Sequence, residues 1–181
     1  MEEFGFASPF EVKDGRTMLH HLAKRSEINA EKDAVCRAWD QLLACDPLRR
    51  PASWLDLIID APTSPGLPNR WTALDIVCNN KAEARPKMVW ELVQARADMT
   101  RRRPGGAGQQ PLHAAVSTAN RTVVDVLLAA KADPHARNER GSSCVDLAHS
   151  NTDLKKMFVA MGVTRGNPVD AAGRSTPITN K

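Results

Sequence analysis

Residues 108–115 read GQQPLHAA, and this stretch decides the fold that the sequence predicts. Gly108 can adopt the positive φ of a turn, and Pro111 suits the first turn of a helix, where its missing N–H costs nothing. Leu112 and Ala115 then fall on one face of that helix, and the small Ala114 lets a second helix approach closely. The stretch therefore predicts a turn followed by a short helix in contact with another one.

A second helix is predicted over residues 122–130, because this stretch carries a wide apolar face. The face consists of Val123, Val124, Val126, Leu127 and Leu128. Pro134 cannot continue the helix, and the polar residues 136–141 lead back to another helix start as a hairpin-like finger. A single helix pair cannot bury such a face, so neighbouring copies must cover it.

A second copy of the pattern follows further along the chain. The tetrad QPLH at residues 110–113 returns in weaker form as SCVD at residues 143–146. Gly108 and Gly141 each stand two positions ahead of their tetrad, so the glycines and the tetrads are offset by the same distance. This offset equals the period of the ankyrin repeat, which is about 33 residues.

The whole stretch 108–148 resembles the ankyrin-repeat family. The family consensus runs Gly-x-Thr-Pro-Leu-His-x-Ala, then Val-x-x-Leu-Leu, then Gly-Ala-Asp, and the chain has GQQPLHAA, then VDVLL at 124–128, then KAD at 131–133. The resemblance implies an all-α fold, an ankyrin-type helical solenoid with short hairpin fingers. It also implies protein binding through the fingers and the inner helices.

Two earlier copies are degenerate. Residues 14–20 read DGRTMLH and keep the Gly, Thr, Leu and His of the family, with a predicted second helix over 34–45. Residues 70–75 read RWTALD and place Arg70 where the family has Gly, with a predicted second helix over 88–95. These copies are spaced more widely than the repeat period, which indicates insertions.

The sequence therefore predicts about four repeats in a domain spanning 14–162, at residues 14–47, 69–100, 107–139 and 140–162. An insertion at 48–68 is expected to contain a short extra helix over 53–59. Residues 1–13 form a Phe-rich leader, and residues 163–181 form a polar tail. In the last repeat Leu154, Met157, Phe158 and Met161 are expected to face the core, which makes this unit a C-terminal cap.

Helix ends are predicted from single residues. Thr17, Thr72 and Ser143 can cap the helices that follow them, each contributing about 1 kcal/mol, whereas Gln110 is a poor substitute. Arg96 and Lys131 stand where the family ends a helix with Gly. We therefore expect a left-handed backbone there that carries a side chain, at some cost in free energy.

Composition narrows the class of protein. The hydrophobic and charged fractions, 42% and 25%, and a mean hydropathy of −0.39 predict a soluble chain without a membrane span. Lys and Arg outnumber Asp and Glu by 25 to 21, which weakly favours a partner with an acidic surface. Tyrosine is absent and aromatic residues are few, which argues against a nucleic-acid binder.

The N-terminal residues 1–6, MEEFGF, lack both a basic region and an apolar region, so no targeting peptide is expected. We predict a cytoplasmic or nuclear protein and leave an organelle open. Cys36, Cys45, Cys78 and Cys144 show no CxxC spacing, and we predict reduced core thiols in a reducing compartment.

No catalytic or metal site is predicted. No nucleophile stands near a base, and neither paired carboxylates nor a metal-ligand cluster emerges from the spacing. His20 and His113 occupy the family's histidine slot, where the resemblance implies a structural imidazole that hydrogen-bonds the turn. The sequence therefore predicts a protein that is not an enzyme and needs no cofactor.

The resemblance assigns the contact positions to the finger tips and to the exposed ends of the first helices. The predicted contact residues are Arg16, Lys24, Arg25, Trp71, Asn79, Asn80, Arg101, Arg102, Arg103, Gln109, Ser117, Thr118, Glu139, Arg140 and Ser142. For each of them, ordinary solvated surface is the alternative.

Four features keep two interpretations each. Trp71 either packs within the chain against Trp54 or Leu57 or is an exposed anchor for a partner. Residues 101–103 form a basic, flexible fingertip that either pairs with carboxylates or phosphates or is merely solvated. The Phe residues of the leader cover the first repeat or dock into a partner. The tail is disordered or is ordered only against a partner.

The function predicted from the sequence is a non-catalytic scaffold or adaptor that binds another protein. The alternative is a stoichiometric accessory or assembly subunit of a large complex, anchored by its N- and C-terminal arms. A nucleic-acid binder ranks third, and a steep salt dependence of binding would reveal it.

Overall fold

The computed structural model describes residues 11–24, 71–81 and 85–163. The described residues form seven α-helices: α1 Met18–Lys24, α2 Ala73–Cys78, α3 Pro86–Gln94, α4 Pro111–Ser117, α5 Arg121–Ala129, α6 Cys144–Ala148 and α7 Thr152–Ala160. They contain no strand, only two isolated bridges, Lys13 with Arg16 and Arg137 with Ser143. The all-α prediction is confirmed.

The helices form stacked pairs. α2 packs on α3, α4 on α5 and α6 on α7. Along the stack α1, α2, α4 and α6 contact one another in that order, and α3 contacts α5. A first layer of helices therefore runs beside a second layer, as a repeat solenoid requires.

One continuous core runs through the stack. Leu74 of α2, Leu112 of α4 and Leu127 of α5 belong to the same buried cluster and are 0% or 1% exposed. Leu19 of α1 and Phe158 of α7 extend this cluster toward its two ends. The apolar faces that the sequence left uncovered are thus buried by the neighbouring helix pairs.

The cap predictions are confirmed for two helices. The Thr72 hydroxyl accepts from Asp75 N at 3.2 Å, and Asp75 Oδ2 accepts from Thr72 N at 3.0 Å, which closes a capping box. Ser143 and Asp146 form the same pair with the same distances. Gln110 behaves differently, because its side-chain amide donates to Thr100 O at 3.0 Å.

Two histidines link successive repeats. His20 Nδ1 accepts from Thr17 N at 3.3 Å, and His113 Nδ1 accepts from Gln110 N at 3.4 Å. An Nδ1 acceptor leaves the proton on Nε2, so His20 Nε2 donates to Trp71 O at 2.9 Å, and His113 Nε2 to Ser142 O at 3.3 Å. Each imidazole therefore joins its own helix start to the turn of the next repeat, which confirms the structural role predicted for both.

Several boundaries differ from the prediction. α3 begins at Pro86 because proline fits the first helical position. α5 begins at Arg121 and ends at Ala129, one residue early at each end, since Lys131 adopts a φ of 67°. Arg96 has a φ of 66°, so the expected left-handed positions are confirmed.

The prediction for Met161 is wrong. α7 ends at Ala160, and the Met161 side chain is 49% exposed because the chain turns away at Gly162, whose φ is 73°. Leu154, Met157 and Phe158 are buried as expected. The predicted helices over 34–45 and 53–59, most of the leader and nearly all of the tail lie outside the described residues.

Burial lowers the pKa of His113, because the charged imidazolium would lose its hydration in the stack. His113 is protonated near pH 6.5 in the unfolded chain but only at a lower pH in the folded chain. The free energy of unfolding should therefore fall as pH drops below about 6.5, by at most about 1.4 kcal/mol per pH unit.

We predict that His113→Gln removes this part of the pH dependence. Urea unfolding of the full chain between about pH 7.5 and about pH 5.5 measures it. Leu112→Ala is the matched control, since it weakens the same helix but keeps the histidine and should keep the wild-type slope. Equal slopes for wild type and His113→Gln would contradict the prediction.

Candidate partner-binding surface

The finger at residues 133–143 is built around one asparagine. Asn138 is 6% exposed, and its Oδ1 accepts from Arg140 N and from Ser142 N, both at 3.0 Å. Its backbone N–H donates to Ser142 O at 3.0 Å, and its carbonyl accepts from Gly141 N at the same distance. A side chain inside the turn thus fixes the backbone on which Glu139 and Arg140 are exposed.

The finger at residues 98–110 begins with an aspartate turn. Asp98 Oδ1 accepts from Thr100 N at 2.8 Å and from the Thr100 hydroxyl at 2.6 Å. The hydroxyl bond is the largest cause of a lowered pKa of Asp98, because it stabilises the carboxylate. Asp133 opens the other finger in the same way by accepting from His135 N at 2.8 Å.

The two fingers contact each other. Glu139 N donates to Ala107 O at 2.9 Å. Gly108 lies beside this bond with a φ of 60°, and a Cβ at this position would lie 2.6 Å from Glu139 Cγ. The glycine therefore suits this backbone conformation, and a side chain at this position would force the exposed Glu139 side chain to move.

Arg103 departs from the predicted exposed fingertip. It is only 7% exposed, and its guanidinium lies 4.5 Å from the centre of the Trp71 ring. Its Nη2 donates to Gln109 Oε1 at 2.7 Å, and Gly106 leaves the room that the side chain occupies. The expectation of an exposed, flexible Arg103 is wrong. Its guanidinium is buried because it stacks on the Trp71 ring and donates to Gln109.

Trp71 contacts a residue that the sequence did not suggest. The alternatives were packing on Trp54 or Leu57, which lie outside the described residues, or full exposure as an anchor. The ring is half-buried and covers the Arg103 guanidinium. Its Nε1, together with Nε and Nη1 of Arg103, is buried without a hydrogen-bond partner among the described residues.

The C-terminal ends of the first-layer helices α1, α2 and α4 carry polar side chains. Lys24 ends α1, Asn79 caps α2, and Ser117 ends α4. The Thr118 hydroxyl donates to Ala115 O at 3.0 Å and to Cys78 O at 3.3 Å, which joins the end of one repeat to that of the next. Because these helices stack, their ends lie side by side along one edge of the molecule.

The predicted contact residues differ in exposure. Those with exposed side chains are Lys24, Arg102, Ser117, Glu139 and Arg140. Those that are half-buried are Arg16, Trp71, Asn79, Asn80, Arg101, Gln109, Thr118 and Ser142. Arg103 is buried, and Arg25 lies outside the described residues.

One exposed aromatic residue was missed by the sequence analysis. Trp90 on α3 is 45% exposed, between the buried Val89 and the half-buried Glu91. It could have been found from the helical pattern, since Met88, Val89 and Leu92 occupy the core-facing positions and position 90 does not.

The described residues show neither a metal-binding cluster nor a reactive thiol. They hold no group of His, Cys, Asp or Glu side chains that could bind a metal ion. Cys78 and Cys144 are buried free thiols, and burial raises the pKa of both well above the usual range, which makes them poor nucleophiles. Cys36 and Cys45 lie outside the described residues.

We predict that Asn138→Ala loosens the finger at residues 133–143. The amides of Arg140 and Ser142 lose their shared acceptor, so their hydrogen exchange should accelerate by about five- to tenfold. Arg140→Ala is the control, because it removes a side chain but keeps the amide bonded to Asn138. Unchanged exchange at both amides in Asn138→Ala would show that the asparagine does not hold the turn.

Comparison with known proteins agrees with this geometry. The family model described as the ankyrin repeat matches residues 107–139, which contain α4, α5 and the start of the next finger. No curated protein matches the chain. Within residues 11–24, 71–81 and 85–163, no helix could span a membrane. Residues 107–139 are therefore similar to the ankyrin repeat, an interaction module that binds other proteins.

Proposed function

We propose that the protein is a non-catalytic adaptor that binds a partner protein with an acidic surface. The binding surface consists of the two fingers at 98–110 and 133–143 and the row of first-layer helix ends. The observation that carries the proposal is a pair of fingers fixed by internal hydrogen bonds, with charged side chains exposed at their tips.

The charge of this surface favours an acidic partner. The exposed or half-buried acidic residues of this surface are Asp98, Asp133 and Glu139. The basic ones are Lys24, Arg101, Arg102, Arg137 and Arg140, together with the predicted contact Arg16. Such an excess attracts carboxylates and disfavours basic partners.

The internal hydrogen bonds of the fingers support a role in binding, because they order the two loops. The Asn138 side chain, the Asp98 turn and the bond from Glu139 N to Ala107 O fix the backbone before any partner arrives. Ordering a loop on binding costs free energy, and a loop that is already ordered avoids this cost. The fingers are thus preorganised.

The helix ends add polar groups that can adapt to a partner. Asn79, Asn80 and Ser117 combine donors and acceptors on short side chains. The fingers precede α4 and α6, whereas these residues stand at the C-terminal ends of first-layer helices, about 10 Å along the helix axis from the helix starts. We therefore propose that the fingers supply charge and that the helix ends supply hydrogen bonds.

The test begins with recovery of the partner on the tagged full-length chain, with and without nuclease treatment. Arg102→Glu combined with Arg140→Glu should weaken the measured affinity of that partner at least about tenfold, because two attractive charges become repulsive. Arg121→Glu, an exposed change of the same sign at the start of α5, is the control and should bind as wild type. Circular dichroism of each variant checks that helical content is unchanged.

Two outcomes would refute the proposal. One is equal affinity of the wild type and the double variant for the recovered partner. The other is a partner whose recovery disappears on nuclease treatment, since that would place the basic fingers on nucleic acid.

A further inference from the structure

The far end of the helix stack carries an apolar pocket that the finger surface does not include. α6 and α7 border a cavity of about 230 Å³, larger than an engineered cavity of about 150 Å³ that admits benzene. Its apolar lining consists of Val145, Ala148, Phe158, Val159 and Val163. This end pocket is large enough to receive one bulky apolar side chain.

Its position explains why it is open. Inside the stack α6 covers α4, just as α4 covers α2. No described helix follows α7, so no described residue packs over the outward face of the last pair as α6 packs over α4. Val159 is 58% exposed and Met161 is 49% exposed at this end, and exposed apolar clusters of this kind mark interaction sites.

The rim of the end pocket carries a lysine and no acidic residue. Lys155 and His149 complete its lining. Asp146 of α6 is occupied elsewhere, because its Oδ2 accepts from Ser143 N at 3.0 Å. Asp153 lies two residues before Lys155 on α7, which turns it about 160° around the helix from the lysine.

We propose that the end pocket binds an acidic amphipathic segment of a partner protein. The segment inserts one bulky apolar side chain between α6 and α7, and a flanking carboxylate pairs with Lys155. A second copy of this chain fits poorly, because a two-fold contact through this face brings Lys155 of both copies together with no acidic residue of the lining to offset the two charges. None of the residues that line the pocket belongs to the predicted contact set, so the site is additional to the finger surface.

The experiment selects a displayed library of random short peptides on the full-length chain and removes those that also bind Val159→Arg. The surviving peptides should carry one Leu, Phe or Trp flanked by Asp or Glu. Synthetic copies should bind Val159→Arg and Lys155→Glu at least about tenfold more weakly than wild type, because the first blocks the pocket and the second reverses its charge.

Matched controls make the same changes elsewhere. Val12→Arg alters an exposed valine near the other end of the stack, and Arg121→Glu reverses a charge on α5. Both should bind the peptides as wild type does. Three results would overturn the proposal: selected peptides without acidic residues, no peptide that separates wild type from Val159→Arg, or a dimer in sedimentation velocity that Val159→Arg dissociates.

Discussion

Helix length is the constraint on which the rest of this structure depends. The described helices have between five and nine residues, and isolated helices shorter than about 12–15 residues are marginal in water. Each helix is therefore stable only because its neighbours bury its apolar face, as Leu74, Leu112 and Leu127 do in one shared core. The caps at Thr72 and Ser143 assist, but packing between the pairs dominates.

The third residue of each first-layer helix hydrogen-bonds the turn before that helix, and two of these residues also bond the turn before the next first-layer helix. Asp75 and Asp146 accept from their own cap residue, whereas His20 and His113 also reach the next turn through Nε2. His113 donates to Ser142 O, and Ser142 in turn donates its N–H to Asn138. The buried core thus holds the finger that carries Glu139 and Arg140, which is why a surface loop can be preorganised.

Much of this could be predicted from the sequence, and what could not has a physical reason. The repeat at residues 108–148 carries its turns, helices and histidine in consecutive residues, so local patterns suffice. Arg103 could not be placed, because its burial depends on Trp71, which belongs to the preceding repeat and lies beyond the reach of any local pattern. The end pocket was missed for a similar reason, since it depends on how α6 and α7 pack on each other and on where the chain places Val163 after α7 ends.

Native-state hydrogen exchange of the full-length chain tests most directly whether the helix pairs stabilise one another. If they do, amides in α2, α4 and α6 will open with similar free energies and lose protection over the same range of added denaturant. The account would be contradicted if α4 and α5 opened cooperatively while α2 or α6 exchanged at the rates of an unstructured peptide.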